Sequence, residues 1–440
     1  MKIGYINSKN WHINNSESIR INIGEYIQFF AMHNFIRNLG IGEDYIIGHS
    51  LDEWLDYDGE EVILVVSNIT LEQHIKLASK FSIVNFGIEN FGKKIDDINS
   101  ADQFINNMDS YLGCRDEYNF NVLSGIQNSD RLYINGCMTI ALPQKREKLG
   151  DSIYLVDIPV ELLEYIPKDI LSNALIRTHE YYYEENIPAN KEIEKLAINQ
   201  YKEYYVNARL VITSRLHLAA PCVAWGIPVI LVRKNPYITF SWIDKFIPIY
   251  TPHTYKDIIW EPERIDIEEY KKVILRDMTY ILMKKYYENS NSLDVHKIYS
   301  GNREFEPKEG YYTDLIDGLK RSLKNDFDCN DKIEYAVWGI TFNAEKLYSF
   351  LKENFPNFIL KYAIDRYNRT VFHGMNTITP DIVADKLEGI VVIVIPTGAV
   401  QEARIFLEGK GCRKVYFVTE VFATRKDIET AIEERINEVD

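Results

Sequence analysis

Two residues that are costly to bury stand at the end of an apolar run. In LVITSRLHLAAPCVAWGIPVILV, residues 210–232, Arg215 and His217 follow the strand-like Leu210–Thr213 and open a short apolar helix leading to Pro228–Val232. In open α/β sheets, ligands sit beyond the carboxyl ends of the strands, where the next helix presents unpaired N–H groups. The helix dipole favours negative charge at that place. A guanidinium and an imidazole there, with Ser214 between the strand and Arg215, therefore suit an anion. The competing reading is a structural salt bridge for Arg215 and a hydrogen-bonded core histidine for His217. Two such residues sharing one strand end favour the anion site.

The elements around them must hold them still. Pro221 is placed in the first turn or so of the helix, where a missing N–H costs little. Gly226 closes the helix and Pro228 prevents its continuation. Along the chain, apolar strand-like runs alternate with helical patterns, the signature of parallel sheets joined by crossover helices. A first series has strands near Lys2–Ile6, Val62–Val66 and Ser82–Phe86, a helix over Glu25–Asn38, and a strand–turn–helix over Tyr111–Leu123. A second begins with strands over Ser152–Pro159 and Ala174–Glu180, then a helix over Lys191–Asn207 and the stretch above, with another helix at Ile267–Asn289. Asn289–Gly310 is polar and rich in breakers, and reads as a linker. A third series runs from Ile333, through IEYAVWG, a helix over Asn343–Asn354, FILKYAID, GIVVIVIP, a helix over Val400–Gly409 and KVYFVTE. The expected domains are 1–150, 151–290, a linker and helix over 291–330, and 331–440.

The 440 residues carry a net charge of −15, which argues against a general nucleic-acid binder because such a surface must be basic. A few local cations can still create an anion site within that field. The five cysteines are scattered without paired spacing, and read as reduced and buried in a cytoplasmic protein. No apolar run approaches the roughly 18 residues needed to cross a bilayer. No HExxH or paired-cysteine spacing suggests a metal.

Ala208–Lys234 resembles the hallmark of the polysaccharide pyruvyl transferase family, an S-R-L-H strand end followed by a small-residue helix and G-x-P-V. NIGEYIQ (Asn22–Gln28) is similar to the family's N-x-G-D/E turn, with Glu25 for the commoner Asp. GCRDEYN (Gly113–Asn119) is similar to its R-D-x-x-S segment, with Asn119 for Ser. The resemblance covers roughly residues 1–240. It implies an α/β fold, a GT-B-like pair of Rossmann-type domains across a cleft, here followed by a C-terminal Rossmann-like domain. It also implies phosphoenolpyruvate as co-substrate and a pyruvate ketal on a sugar as product, with no further cofactor. The acceptor would be a sugar or lipid-linked oligosaccharide met from the cytosol, at the inner face of the membrane where it is lipid-linked; oligomeric state is left open.

Phosphoenolpyruvate needs planar bidentate donors, which arginine supplies, and ketal formation needs a proton donor and a base. On that resemblance, Arg215 is a donor clamp and His217 the acid or phosphate partner, with Ser214 on the donor. Arg115 is a second clamp from the N-terminal domain. Asp116 orients Arg115 or accepts a hydroxyl proton, unless it is a plain helix cap. Arg177 and His179 join the site if their strand neighbours that of TSRLH, and are structural otherwise. Lys234 is a phosphate contact or an exposed lysine. Asn22, Gly24 and Glu25 fall on the acceptor side: glycine lets backbone approach a ligand, and Asn22 bonds the ligand or caps the helix.

The third series resembles a Rossmann start with a broken fingerprint, since Thr341 and Ala344 occupy the second and third glycine positions after Gly339. The second position is where backbone must approach a pyrophosphate, so a structural or interaction module is expected there. Two other functions fit the residues: a GT-B glycosyltransferase using a nucleotide sugar, or a non-catalytic sugar- or nucleotide-binding protein.

Overall fold

The computed structural model describes residues 2–8, 19–67, 71–88, 112–124, 132–142, 147–183, 188–287, 315–327, 332–366, 371–395, 400–418 and 421–437. The expected linker, Asn289–Gly310, lies outside the described residues. Three parallel sheets with helical connections follow one another along the chain, giving a mixed α/β protein of Rossmann-like units.

The chain enters through β1 (Lys2–Ser8) and β2 (Ile19–Asn22), followed by the helix Ile23–Arg37. The first sheet adds β3 (Ile46–Ser50), β4 (Val62–Val66), β5 (Ser82–Ile88), β6 (Leu112–Cys114) and β7 (Leu132–Ile134), in the order β3-β1-β4-β5-β6-β7. All five residues of β4 are apolar and buried, as expected of a parallel strand covered on both faces. β3 and β7 carry little of that apolar signature, and neither is evident from the sequence. A glycine and a histidine interrupt β3, and β7 is only three residues long.

The second sheet contains β8 (Ser152–Val156) and β9 (Ala174–Arg177). After β10 (Glu180–Tyr183) it continues with β11 (Ala208–Thr213), β12 (Val229–Val232) and β13 (Ile249–Tyr250), in the order β13-β12-β11-β8-β9. The expected single strand over Ala174–Glu180 is thus two. β10 leaves the sheet and pairs antiparallel with β2, from Glu180 opposite Asn22 to Tyr183 opposite Ile19. Ile21, Ile23, Tyr26, Ile193 and Ala197 pack beneath this ribbon with Tyr181 and Tyr183. The ribbon pins the first unit to the second beside the start of the helix Ile23–Arg37. No local pattern announces it, because each half is a short strand whose partner lies more than 150 residues away.

The third sheet holds β14 (Ile333–Trp338) and β15 (Phe358–Ile364), then, after a ribbon of β16 (Val371–Phe372) and β17 (Met375–Asn376), β18 (Val391–Val394) and β19 (Val415–Phe417). Its order is β15-β14-β18-β19. Asp365, just past β15, accepts a hydrogen bond from the Ile340 amide at 2.8 Å, so its carboxylate braces the loop after β14. A final helix, Arg425–Asn437, leaves this unit: Ile428 is buried in the core of the second unit with Leu162, Leu163, Ile170 and Leu171. Among the described residues, no helix is long and apolar enough to cross a membrane.

Candidate active site

The S-R-L-H stretch folds as the sequence demands, with one difference. β11 is buried along Leu210–Thr213, and the helix Leu216–Trp225 is buried at nine of its ten positions, His217 being the partly exposed one. Gly226 ends the helix at φ +66°, the left-handed conformation glycine adopts without penalty. Pro221, however, is the sixth helical residue rather than a first-turn one. At that position its missing N–H leaves the His217 carbonyl without its helical donor. The Tyr201 hydroxyl supplies the hydrogen bond, donating to His217 O. A buried carbonyl must find a partner, and here the partner fixes the residue that carries the imidazole.

The imidazole of His217 meets the first unit. Its Nε2 is 3.1 Å from Arg115 Nη2 and its Nδ1 is 3.4 Å from Glu25 Oε1. Arg115 follows β6 directly and is 2% exposed. Glu25 lies in the first turn of the helix Ile23–Arg37, where Asn22 Oδ1 accepts the Gly24 amide at 3.0 Å. A Cβ on Gly24 would stand 3.1 Å from that of His217. The glycine therefore admits the histidine to the helix end, where a ligand was expected. Gln28 donates to Glu25 Oε2 at 2.9 Å and its Oε1 lies 3.5 Å from Cys137 Sγ. Cys137 also accepts from Thr139 Oγ1 at 3.1 Å.

Burial works against a charge on His217, but Glu25 and Cys137 outweigh it and push its pKa up to about 9. Burial likewise raises the Cys137 thiol, yet Arg115, His217 and Thr139 bring it below its ordinary value. The contact with Arg115 needs a lone pair on Nε2, so it belongs to the neutral imidazole with its proton on Nδ1 facing Glu25. Once Nε2 is protonated, two cations face each other, and an anion between them would satisfy both. The arrangement can hold an anion and keep a proton beside it.

Arg215 sits on the other side of the S-R-L-H turn in different company. Its Nε donates to Asp157 Oδ2 at 2.7 Å and its Nη2 lies 2.8 Å from Glu180 Oε1. Burial disfavours its charge, and the two carboxylates more than restore it. Asp157, just past β8, adopts φ +48°, a conformation costing a non-glycine residue roughly 1–3 kcal/mol unless its surroundings impose it. They do: Asp157 also accepts the His179 amide at 2.9 Å, and Ser214 Oγ donates to its carbonyl at 2.6 Å. His179 is fully buried. Burial pushes its pKa down to about 3, and its Nε2 lies 3.3 Å from the Tyr204 hydroxyl.

Thus Arg115, His217, Asn22, Gly24 and Glu25 come together, while Arg215, Ser214 and His179 gather round Asp157. Asp116 accepts both the Asn119 amide N–H, at 2.8 Å, and its side-chain amide, at 2.9 Å to each oxygen. It caps the helix Glu117–Ser124, and the Asn119 side chain, standing where the family has Ser, holds the same carboxylate. β9 lies beside β8 at the sheet edge, not beside β11, so Arg177 does not join the S-R-L-H turn and pairs with Glu203 at 2.6 Å. Lys234 pairs with Glu161 at 2.6 Å. Sequence reading missed Asp157, although a carboxylate ending SIYLVD carries the same signal as Arg215. It also missed Glu180, Gln28, Cys137 and Tyr201, for which no local signal exists.

Fold and site together define a protein of Rossmann-like α/β units with a histidine–arginine–carboxylate centre between the first two. Residues 22–235 match the family model for polysaccharide pyruvyl transferase. This confirms the family resemblance over 214 of the 440 residues, a span that contains both clusters. The match supports pyruvyl transfer in polysaccharide biosynthesis as the class of activity. No curated protein matches the chain. Among solved structures, it resembles a functionally uncharacterised protein of Klebsiella pneumoniae subsp. pneumoniae at 15% identity and TM-score 0.32, over 55% of this chain and 87% of that one. It also resembles a nitrogenase, Cp1, at 8% identity and TM-score 0.18, over 94% and 80% respectively. At those scores neither carries an argument.

Proposed function

We propose that the protein moves the enolpyruvyl group of phosphoenolpyruvate onto a sugar of a surface-polysaccharide precursor, forming a ketal and releasing phosphate. The observation that carries this reading is the meeting of Arg115 and His217 at 3.1 Å, from facing ends of two units, with Glu25 behind the imidazole. In this reading the first two units face each other as a GT-B-like pair. Arg115 holds an anionic group of the donor, and protonated His217 delivers a proton to the methylene carbon C3. A sugar hydroxyl then bonds to C2, the C2–O bond to phosphate breaks with its electron pair leaving on phosphate, and a second hydroxyl closes the ketal. Of the two hydroxyl protons lost, one replaces that given to C3 and the other leaves on phosphate. Arg215, engaged by Asp157 and Glu180, fixes the turn from which His217 projects.

The test is to incubate the full chain with phosphoenolpyruvate and candidate acceptor sugars, reading inorganic phosphate and the mass of the sugar. Phosphate release with a matching mass gain on the sugar supports the proposal. Thermal stabilisation by a nucleotide sugar but not by phosphoenolpyruvate would replace it with glycosyl transfer.

A further inference from the structure

The C-terminal unit touches the site. Residues 421–423 run antiparallel to 158–160, with Pro159 paired to Phe422. The Ala423 amide donates to Ile158 O at 2.8 Å and the Val160 amide to Val421 O at 3.2 Å. Ile158 directly follows Asp157, the partner of Arg215. This short strap lays the Phe422 ring over Arg215, with Cζ 4.4 Å from the ring centroid. The guanidinium therefore has carboxylates at two of its nitrogens and an aromatic ring on its face, and its side chain is only 11% exposed.

The strap is itself held from behind. Thr424 and Asp427 cap the helix Arg425–Asn437 reciprocally, with Thr424 N donating to Asp427 Oδ2 at 2.7 Å and Asp427 N to Thr424 Oγ1 at 3.2 Å. Arg404, on the helix Val400–Gly409 of the third sheet's unit, donates to both oxygens of Asp427 at 3.0 Å. A bidentate pair fixes direction as well as distance. The line from the third unit to the site thus runs Arg404, Asp427, Thr424, Phe422, Arg215.

We infer that the C-terminal unit is a working part of the transferase, with Phe422 a positioning residue that covers Arg215 and fixes its guanidinium against Asp157 and Glu180. This rests on the pyruvyl-transfer reading for its activity arm only. A ring over a desolvated guanidinium is attractive on its own account, and shields it from water that would loosen its ion pairs. Arg215 precedes Leu216 and His217, so loosening it would misplace the imidazole, and misplacement of a reacting group costs rate more than binding.

Two measurements on the full-length chain decide the matter: the rate at which phenylglyoxal labels Arg215, mapped by peptide mass, and kcat and KM for phosphoenolpyruvate. Phe422→Ala is expected to label Arg215 about tenfold faster than the unsubstituted chain and to lower kcat about tenfold at similar KM, the size of a lost desolvated cation–π contact. Phe422→Trp should keep both values near those of the parent. Phe422→Leu, which preserves bulk if the alanine variant misfolds, should fall between. Equal labelling of Arg215 in the parent and the leucine and alanine variants would overturn the inference, as would activities that follow only the melting temperature. Faster labelling in a chain that does not turn over phosphoenolpyruvate would uphold the contact while rejecting the pyruvyl-transfer reading.

Discussion

The two buried arginines of the site are set in opposite ways. Arg215 faces two carboxylates and an aromatic ring, so its charge is answered within the protein. Arg115 faces an imidazole that Glu25 and Cys137 drive towards the cationic form. The first arrangement is held by carboxylates of the protein itself; in the proposed reading the second receives an anionic group of the donor. Two arginines at strand ends therefore meet different partners, and residue type alone does not foretell which.

The largest effect should come from exchanging these roles. Arg115→Ala or His217→Ala should reduce pyruvyl transfer by about 10³-fold, the scale of one lost transition-state donor or general acid. Either should also abolish the rise in melting temperature that phosphoenolpyruvate is expected to give the parent. Arg215→Ala should instead act first on stability. It strands two buried carboxylates, and breaking such a pair costs about 3–5 kcal/mol, read as a lower midpoint in urea unfolding. Retained stability in Arg215→Ala with lost donor binding would reverse the assignment of the two arginines.

The next effect is on pH dependence. His217 has a folded pKa of about 9, above its unfolded value of about 6.5. Its contribution to stability is therefore full below about pH 6.5 and lost as pH rises through 9. Activity that needs the imidazolium should hold to about pH 9 and fall above it. Glu25→Gln removes the nearest negative charge and should move that fall downward, seen in kcat/KM against pH; an unmoved limb would show that Glu25 does not set the charge. His179 runs the other way: with its folded pKa near 3, stability should weaken as pH falls below about 6.5.

The smallest expected effect is that of Tyr201→Phe. Removing the hydroxyl leaves the His217 carbonyl unpaired beside Pro221, at a cost of about 1–3 kcal/mol. Calorimetry of the variant should show this loss, and kcat should fall more than donor binding because the imidazole is displaced.

Much of the frame was legible because parallel strands buried on both faces must be continuous apolar runs: Val62–Val66, Leu210–Thr213 and Val391–Val394 each announce themselves. The S-R-L-H turn was legible for the converse reason, since charge is expensive at the end of such a run. The β2–β10 ribbon, the Tyr201 bond and the Phe422 strap were not, because each joins short segments whose partners are distant in sequence or carry no distinctive pattern. Asn22 and Asp116 show the limit most plainly. Their types fit either a ligand or a helix cap, and the cap geometry is what the structure displays.

Sequence by itself determined the three α/β series, the rigid apolar frame of residues 210–232 and the placing of Arg215 and His217 at a strand end. These follow from local periodicity and the cost of burying charge. Tertiary structure alone decided which charges meet. It turned Arg215 towards Asp157 and Glu180, brought His217 to Arg115 and Glu25, and laid Phe422 over the first arginine. The reason is physical: burial and turn chemistry act over a few neighbouring residues, whereas an ion pair depends on the distance between side chains, which only the packing of separate units sets.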